Sequence, residues 1–152
     1  MITASIVTYN TSPELLQTVI GCAANSIIDR IYVIDNSSEP IVGDFARCLS
    51  PKVEYIHGQG NVGYGTAHNI AIRRAMAVEA EYHIVLNPDI QFNPDDIRKM
   101  ADYMNCHSDV GWLMPRVVYP DGRLQYLCKL LPTPMDLIGR RFLGFLPFIK
   151  KR

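Results

Sequence analysis

Several signals are missing from this chain. None of its 152 residues lie in an apolar run near the roughly eighteen that a membrane-spanning helix needs, so no such span is expected. There is no charge excess: 15 Lys and Arg balance 15 Asp and Glu, with a sequence pI of about 6.9. Duplex nucleic-acid binders usually carry a basic surplus, so no nucleic-acid partner is expected. The 4 cysteines, Cys22, Cys48, Cys106 and Cys128, stand far apart. No C-x-x-C pair is present, and zinc-site spacing is absent. The opening Met1-Ile2-Thr3-Ala4 lacks the charged start and apolar run of a secretory leader. A cytoplasmic setting with reduced, mostly buried thiols is therefore expected. Internal repeats, low-complexity tracts and linkers are also lacking.

What is present suits one soluble globular domain: 48% hydrophobic and 20% charged residues, with mean hydropathy near zero. Short β-branched runs alternate with helical patterns. Residues 2–8, 30–35, 53–57 and 82–86 read as strands, and 111–119 as a fifth that turns at Pro120-Asp121-Gly122-Arg123. Thr11-Ser12-Pro13-Glu14 and Asn93-Pro94-Asp95-Asp96 read as helix starts, and a further helix is expected from about Gly65 to Val78. This alternation predicts an α/β fold, a three-layer sandwich whose mostly parallel sheet is covered on both faces.

In such sheets ligands bind beyond the carboxyl ends of the strands. Four consecutive strand ends here carry polar groups: Thr8-Tyr9-Asn10, Asp35-Asn36-Ser37-Ser38, Gly58 to Gly65, and Asn87-Pro88-Asp89. Gly58 to Gly63 matches G-x-G-x-x-G, the dinucleotide fingerprint, but it follows the third strand rather than the first. It reads either as a phosphate loop or as a permissive turn. Asp35 could accept a hydrogen bond from a ribose hydroxyl or a base N–H, or could cap the turn that follows it. Asp89 suits Mg²⁺ or Mn²⁺ shared with substrate phosphates, or simply a helix-entry loop. His57, His68, His83 and His107 form no recognisable ligand set and read as surface or packed histidines.

Four segments resemble the N-terminal, donor-binding half of family-two glycosyltransferases, in the rhamnosyltransferase-like branch. They are Ala4 to Asn10, Val33 to Ser38, Asn61 to Asn69 and Val85 to Asp89, with Val110 to Pro115 and Tyr119 to Thr133 similar to the segment that follows. The resemblance covers about residues 2–135. It implies a GT-A fold, a nucleotide-diphosphate sugar as donor, a Mg²⁺ or Mn²⁺ cofactor, and a glycan or lipid-linked acceptor. Carried over by position, Thr8, Tyr9 and Asn10 would line the nucleoside and Asp35, followed by Asn36, would bond the base. Gly60, Asn61, Gly63 and Asn69 would border the ribose and diphosphate, and Asp89 with Asn87 would hold the metal. Family members often have an acid where Asn87 stands, and a neutral amide binds a hard cation less strongly. The implied reaction is inverting sugar transfer. No residue after Asp89 reads as its catalytic base, since Asp121 sits in a turn and Asp136 opens the tail.

The expected organisation is a nucleotide-sugar-binding domain over residues 1–130 and an apolar, basic tail over residues 131–152. That tail suits peripheral contact with an anionic membrane, packing on further protein, or a homo-oligomer contact. Two alternatives to a transferase stand beside this reading. One is a non-catalytic nucleotide-binding or oligomerisation module, and the other is a dinucleotide-binding oxidoreductase domain.

Overall fold

The structure, a computed structural model, describes residues 1–40 and 42–125. Strands and helices alternate as β1 Ile2–Thr8, α1 Pro13–Ala24, β2 Arg30–Asp35, α2 Gly43–Leu49, β3 Val53–Ile56, α3 Tyr64–Ala77, β4 Tyr82–Leu86 and α4 Pro94–Cys106. The strands form one sheet in the order β3-β2-β1-β4, and every pairing is parallel. The chain steps outward from β1 to β3, then crosses back to β4 on the far side of β1. The reversal opens a crevice between β1 and β4, where open α/β sheets bind ligands.

Local chemistry explains the helix starts. The Ser12 side chain accepts from Leu15 N ahead of α1, and Asn93 accepts from Asp95 N ahead of α4; proline occupies the first turn of each. By contrast, α2 has Val42 at its N-cap and no side-chain cap. It therefore carried no start signal, and the sequence did not lead us to expect it.

Alternation along the strands splits the interior in two. One face carries Ala4, Ile6, Ile31, Val33 and Leu86, packed by Leu16, Val19 and Ile20 of α1, Ala46 of α2 and Ile97 of α4. On the other, Val7, Tyr32 and Ile34 meet Ala67, Ala71 and Ala75 of α3. Helices thus cover both faces, as the three-layer expectation required.

Residues 111–119 do not form the expected strand. Among the described residues only an isolated antiparallel bridge, Val118 with Leu124, appears there. A strand needs a partner ladder, and Pro115 removes a donor in the middle of the segment. The chain divides into two compact units, Met1–Leu113 and Met114–Arg152. In the second, Tyr119 N donates to Arg123 O at 2.8 Å across the expected turn, where Gly122 takes φ +82°. The tail over residues 131–152 lies outside the described residues. No described helix is long and apolar enough to cross a membrane.

Candidate functional site

The exits of β1, β2 and β3 meet around Asp35. Thr8 and Asp35 are register partners that end β1 and β2. Asp35 is only 1% exposed. One carboxylate oxygen accepts from Ser37 N at 2.9 Å and the other from Tyr55 Oη at 2.6 Å. Burial pushes the carboxyl upward, but the bonds from Ser37 and Tyr55 outweigh it and hold the acid below its usual range. Asp35 is thus a charged group. Each of its oxygens keeps a lone pair, so it can still accept from a ligand N–H.

The loops are stitched to this centre. Asn10 N donates to Ser37 Oγ at 2.8 Å, and Asn10 itself takes φ +50°. Gln59 Nε2 donates to Asp35 O at 2.7 Å, and Asn36 Nδ2 to Gly63 O at 3.4 Å. The glycine loop therefore folds back over the β2 exit. An open pocket of about 280 Å³ lies here, lined by Asn10, Thr11, Asp35, Ser37 and Val42. Two buried polar atoms in this region have no protein partner, Thr8 Oγ1 and Gln59 Oε1. Unpartnered buried groups are costly and mark places where a ligand or water supplies the missing bond.

Gly63 ends the loop at φ +80°, a conformation that suits glycine, and serves as the N-cap of α3. Asn61 Oδ1 accepts from Gly63 N at 3.1 Å and shapes the turn. With no side chain capping it, the first turn of α3 presents free N–H groups beside the crevice. Asn69 is exposed and sits in the second turn, beyond those amides.

On the other side of the crevice, Asn87 and Asp89 follow β4 and both are exposed. Tyr64 Oη donates to Asn87 Oδ1 at 2.7 Å, joining the start of α3 to the β4 exit. Burial raises the Tyr64 phenol, and the negative charge of Asp89 raises it further, which places Asp89 within electrostatic reach. Among the described residues no three His, Cys, Asp or Glu side chains cluster as a protein-only metal cage. One free carboxylate and one amide oxygen fit a hard cation that takes its other ligands from a diphosphate and water.

All four strand exits singled out from the sequence therefore belong to one hydrogen-bonded rim. Of the named residues, Thr8, Tyr9, Asn69 and Asp89 make no side-chain hydrogen bond within it, and Asn10 joins it through its backbone N–H. Tyr55, Gln59 and Tyr64 were missed. Tyr55 lies in the third expected strand, and Gln59 and Tyr64 in the glycine-rich stretch after it; only their partners reveal their roles.

A parallel α/β sheet with a polar rim at its topological reversal matches the N-terminal part of a GT-A fold. The chain belongs to glycosyl transferase family 2, whose model matches residues 3–146. It is 30% identical over 121 residues to the low-salt glycan biosynthesis hexosyltransferase Agl10 of Haloferax volcanii, a match covering 79% of this chain and 37% of that protein. It is 29% identical over 136 residues to the N-acetylglucosaminyl-diphospho-decaprenol L-rhamnosyltransferase of Mycobacterium tuberculosis, covering 84% of this chain and 44% of that one. The chain thus spans less than half the length of these curated relatives. Its fold is also that of S. aureus TarS 1-349 in complex with UDP, with TM-score 0.54 at 16% identity, covering 70% of this chain and 32% of that one.

Proposed function

We propose that this chain is the donor-binding portion of an inverting glycosyltransferase that moves a sugar from a nucleotide-diphosphate sugar to a glycan or lipid-linked acceptor. The observation that carries this reading is the hydrogen-bonded rim that links Asp35, the glycine loop and the Asn87-Pro88-Asp89 turn. Asp35, with Thr8, Tyr9 and Asn10 beside it, receives the nucleoside, its fixed carboxylate accepting from a base N–H. Asn36, Gly60, Asn61 and Gly63 border the ribose and diphosphate, and the first-turn amides of α3 aim fixed dipoles at the leaving group. Asn69, one turn on, belongs to the outer edge of that surface.

Asp89, assisted by Asn87, is the residue to hold Mg²⁺ or Mn²⁺. When bound, such an ion supplies Lewis-acid neutralisation of charge on the departing diphosphate. Inversion requires the acceptor hydroxyl to attack the anomeric carbon from the face opposite the diphosphate, while a carboxylate removes its proton. The residues described here supply the leaving-group half of that chemistry. The lipid-linked acceptor in the name of the mycobacterial relative and the glycan in that of the haloarchaeal one support the acceptor class. Such a donor site belongs in the cytoplasm, where nucleotide sugars are available.

Calorimetric titration with UDP, dTDP and GDP, with and without Mn²⁺, tests the reading. At least one nucleotide is expected to bind, and more tightly with the cation. A folded chain that binds none of them at millimolar concentration refutes the donor site. Asp89→Ala should abolish the Mn²⁺ dependence while leaving the circular dichroism spectrum intact. An undiminished Mn²⁺ effect in that variant rejects Asp89 as the ligand.

A further inference from the structure

Tyr64 is an odd residue to find at the start of a helix. It is a large aromatic, 53% exposed, directly after an N-cap glycine that provides no side-chain cap. Exposed aromatics are ordinarily free to turn, yet this one is held at both ends. Its hydroxyl donates to Asn87 Oδ1 at 2.7 Å. Its ring stands edge-on to the His68 ring, with centroids 4.4 Å apart and planes at 72°. His68 in turn is buried, with Nδ1 2.7 Å from Ser5 Oγ. Ser5 Oγ lies 2.9 Å from His83 Nε2, and His83 Nδ1 lies 2.8 Å from Thr3 Oγ1. A polar chain thus runs from inside the sheet, through β1 and β4, to the first turn of α3 and out to the β4 exit.

Within the described residues, Tyr64 to Asn87 is the one direct side-chain hydrogen bond between α3 and the turn after β4. The two groups it joins have different ligands in the proposed reaction. The α3 amides and the glycine loop face the diphosphate, and Asp89 faces the cation. Pro88 restricts the backbone between Asn87 and Asp89. Fixing the Asn87 amide therefore fixes where the Asp89 carboxylate starts from.

We propose that Tyr64 is a positioning residue that couples the cation side of the crevice to the diphosphate side, by locking the Asn87-Pro88-Asp89 turn in register with the start of α3. This rests on the donor-site reading above. The phenol needs no contact with the nucleotide to act. It would set the spacing between two surfaces carried on separate elements, the Asp89 side that would hold the cation and the α3 side that would receive the diphosphate. The coupling is reciprocal, as binding linkage demands: nucleotide tightens the cation as much as the cation tightens nucleotide. Asn87 also gains a role that its neutral amide does not suggest, that of the acceptor which receives the tyrosine.

The test uses the full 152-residue chain. The quantity measured is the ratio of the UDP dissociation constants without and with Mn²⁺, by calorimetry, with Mn²⁺ binding followed independently by electron paramagnetic resonance. Tyr64→Phe is expected to lower that ratio about five- to tenfold, the worth of one hydrogen bond. Asn87→Ala should lower it at least as far, because it removes both the tyrosine's acceptor and the amide oxygen assigned to the cation, and adding Tyr64→Phe to Asn87→Ala should lower it no further. A variant that is merely misfolded loses affinity in both conditions and keeps the ratio. An undiminished ratio in Tyr64→Phe, or additive losses in the double variant, overturns the coupling while leaving the donor site standing. If the parent chain binds UDP but Mn²⁺ changes nothing, the coupling is likewise refuted. If the parent chain binds no nucleotide under either condition, the donor-site reading falls and takes this inference with it.

Discussion

The two faces of the sheet are built for different tasks. Under α1, α2 and α4 the contacts are made mainly by Leu, Ile and Val, with Ala4, Ala23 and Ala46 among them, and these side chains are almost all fully buried. Under α3 the helix contributes alanines at i, i+4 spacing, and the sheet half nearest β4 turns polar with Thr3, Ser5 and His83. Large aliphatics bury more area and contribute more folding free energy, but they also hold a helix farther from the sheet. Small residues let α3 come close, and directional hydrogen bonds then fix its position along the sheet. The first face chiefly stabilises; the second chiefly places the glycine loop and Tyr64 at the crevice.

The sharpest way to break this contrast is to truncate each face in turn. Ile20, fully buried on α1, should cost about 2–5 kcal/mol when changed to Ala, from lost transfer energy and the cavity left behind. Ala71→Gly on the α3 face should cost only about 1 kcal/mol. Urea unfolding measures both, and equal losses would erase the distinction between the faces.

Acid should act on the second face alone. Burial pushes His68 down to about 4, with His83 adding to it, and burial alone pushes His83 down to about 4. Between those values and the unfolded value near 6.5, the unfolded chain binds more protons than the native one. Stability contributed by the neutral pair is therefore complete above about pH 6.5 and lost as the pH falls towards 4. The loss should total roughly 1–3 kcal/mol, less than the full shift because His83 is partly solvated. Asp35, whose carboxyl is held low, adds its own loss only below that window. His83→Gln should flatten the slope of unfolding free energy between pH 4 and 6.5; a slope unchanged in that variant assigns it to other groups.

The contrast also explains what could be read in advance. Periodicity located β1, β2, β4 and the long helices to within a residue or two, because buried faces impose their spacing on the sequence. The convergence of Thr8, Asp35, the glycine loop and Asn87 was legible for a related reason: parallel topology puts consecutive strand exits at one edge. The rest depended on partners far away in sequence. A strand at 111–119 failed because, among the described residues, it has one isolated bridge, Val118 with Leu124, and no ladder. The helix at Gly43–Leu49 carries no cap to announce it. Tyr55 and Gln59 matter only because the fold brings them to Asp35, 20 and 24 residues away. His68 and His83 read only as surface or packed histidines, and the serine between them could not be seen from spacing.

The smallest predicted effect links the first face to the site. Gly43 begins α2 and packs on the Tyr55 ring so tightly that an added Cβ would lie 2.9 Å from Tyr55 Cε1. That ring is not free to swing away, because its hydroxyl is held by Asp35 Oδ2 and Arg47 lies over its face at 5.1 Å. Gly43→Ala should therefore move Tyr55 by a few tenths of an ångström and lengthen its bond to Asp35. Better helix propensity for alanine offsets part of the strain, leaving a net cost of about 0.5–1 kcal/mol. The more telling readout is nucleotide binding. Tyr55 is one of two donors that keep the Asp35 carboxylate aimed, so UDP affinity should fall about two- to fivefold, with the ratio between Mn²⁺ and Mn²⁺-free conditions unchanged. A drop in that ratio would mean that the β2 exit and the β4 exit are mechanically joined, and that α2 reaches the cation side as well as the nucleoside side.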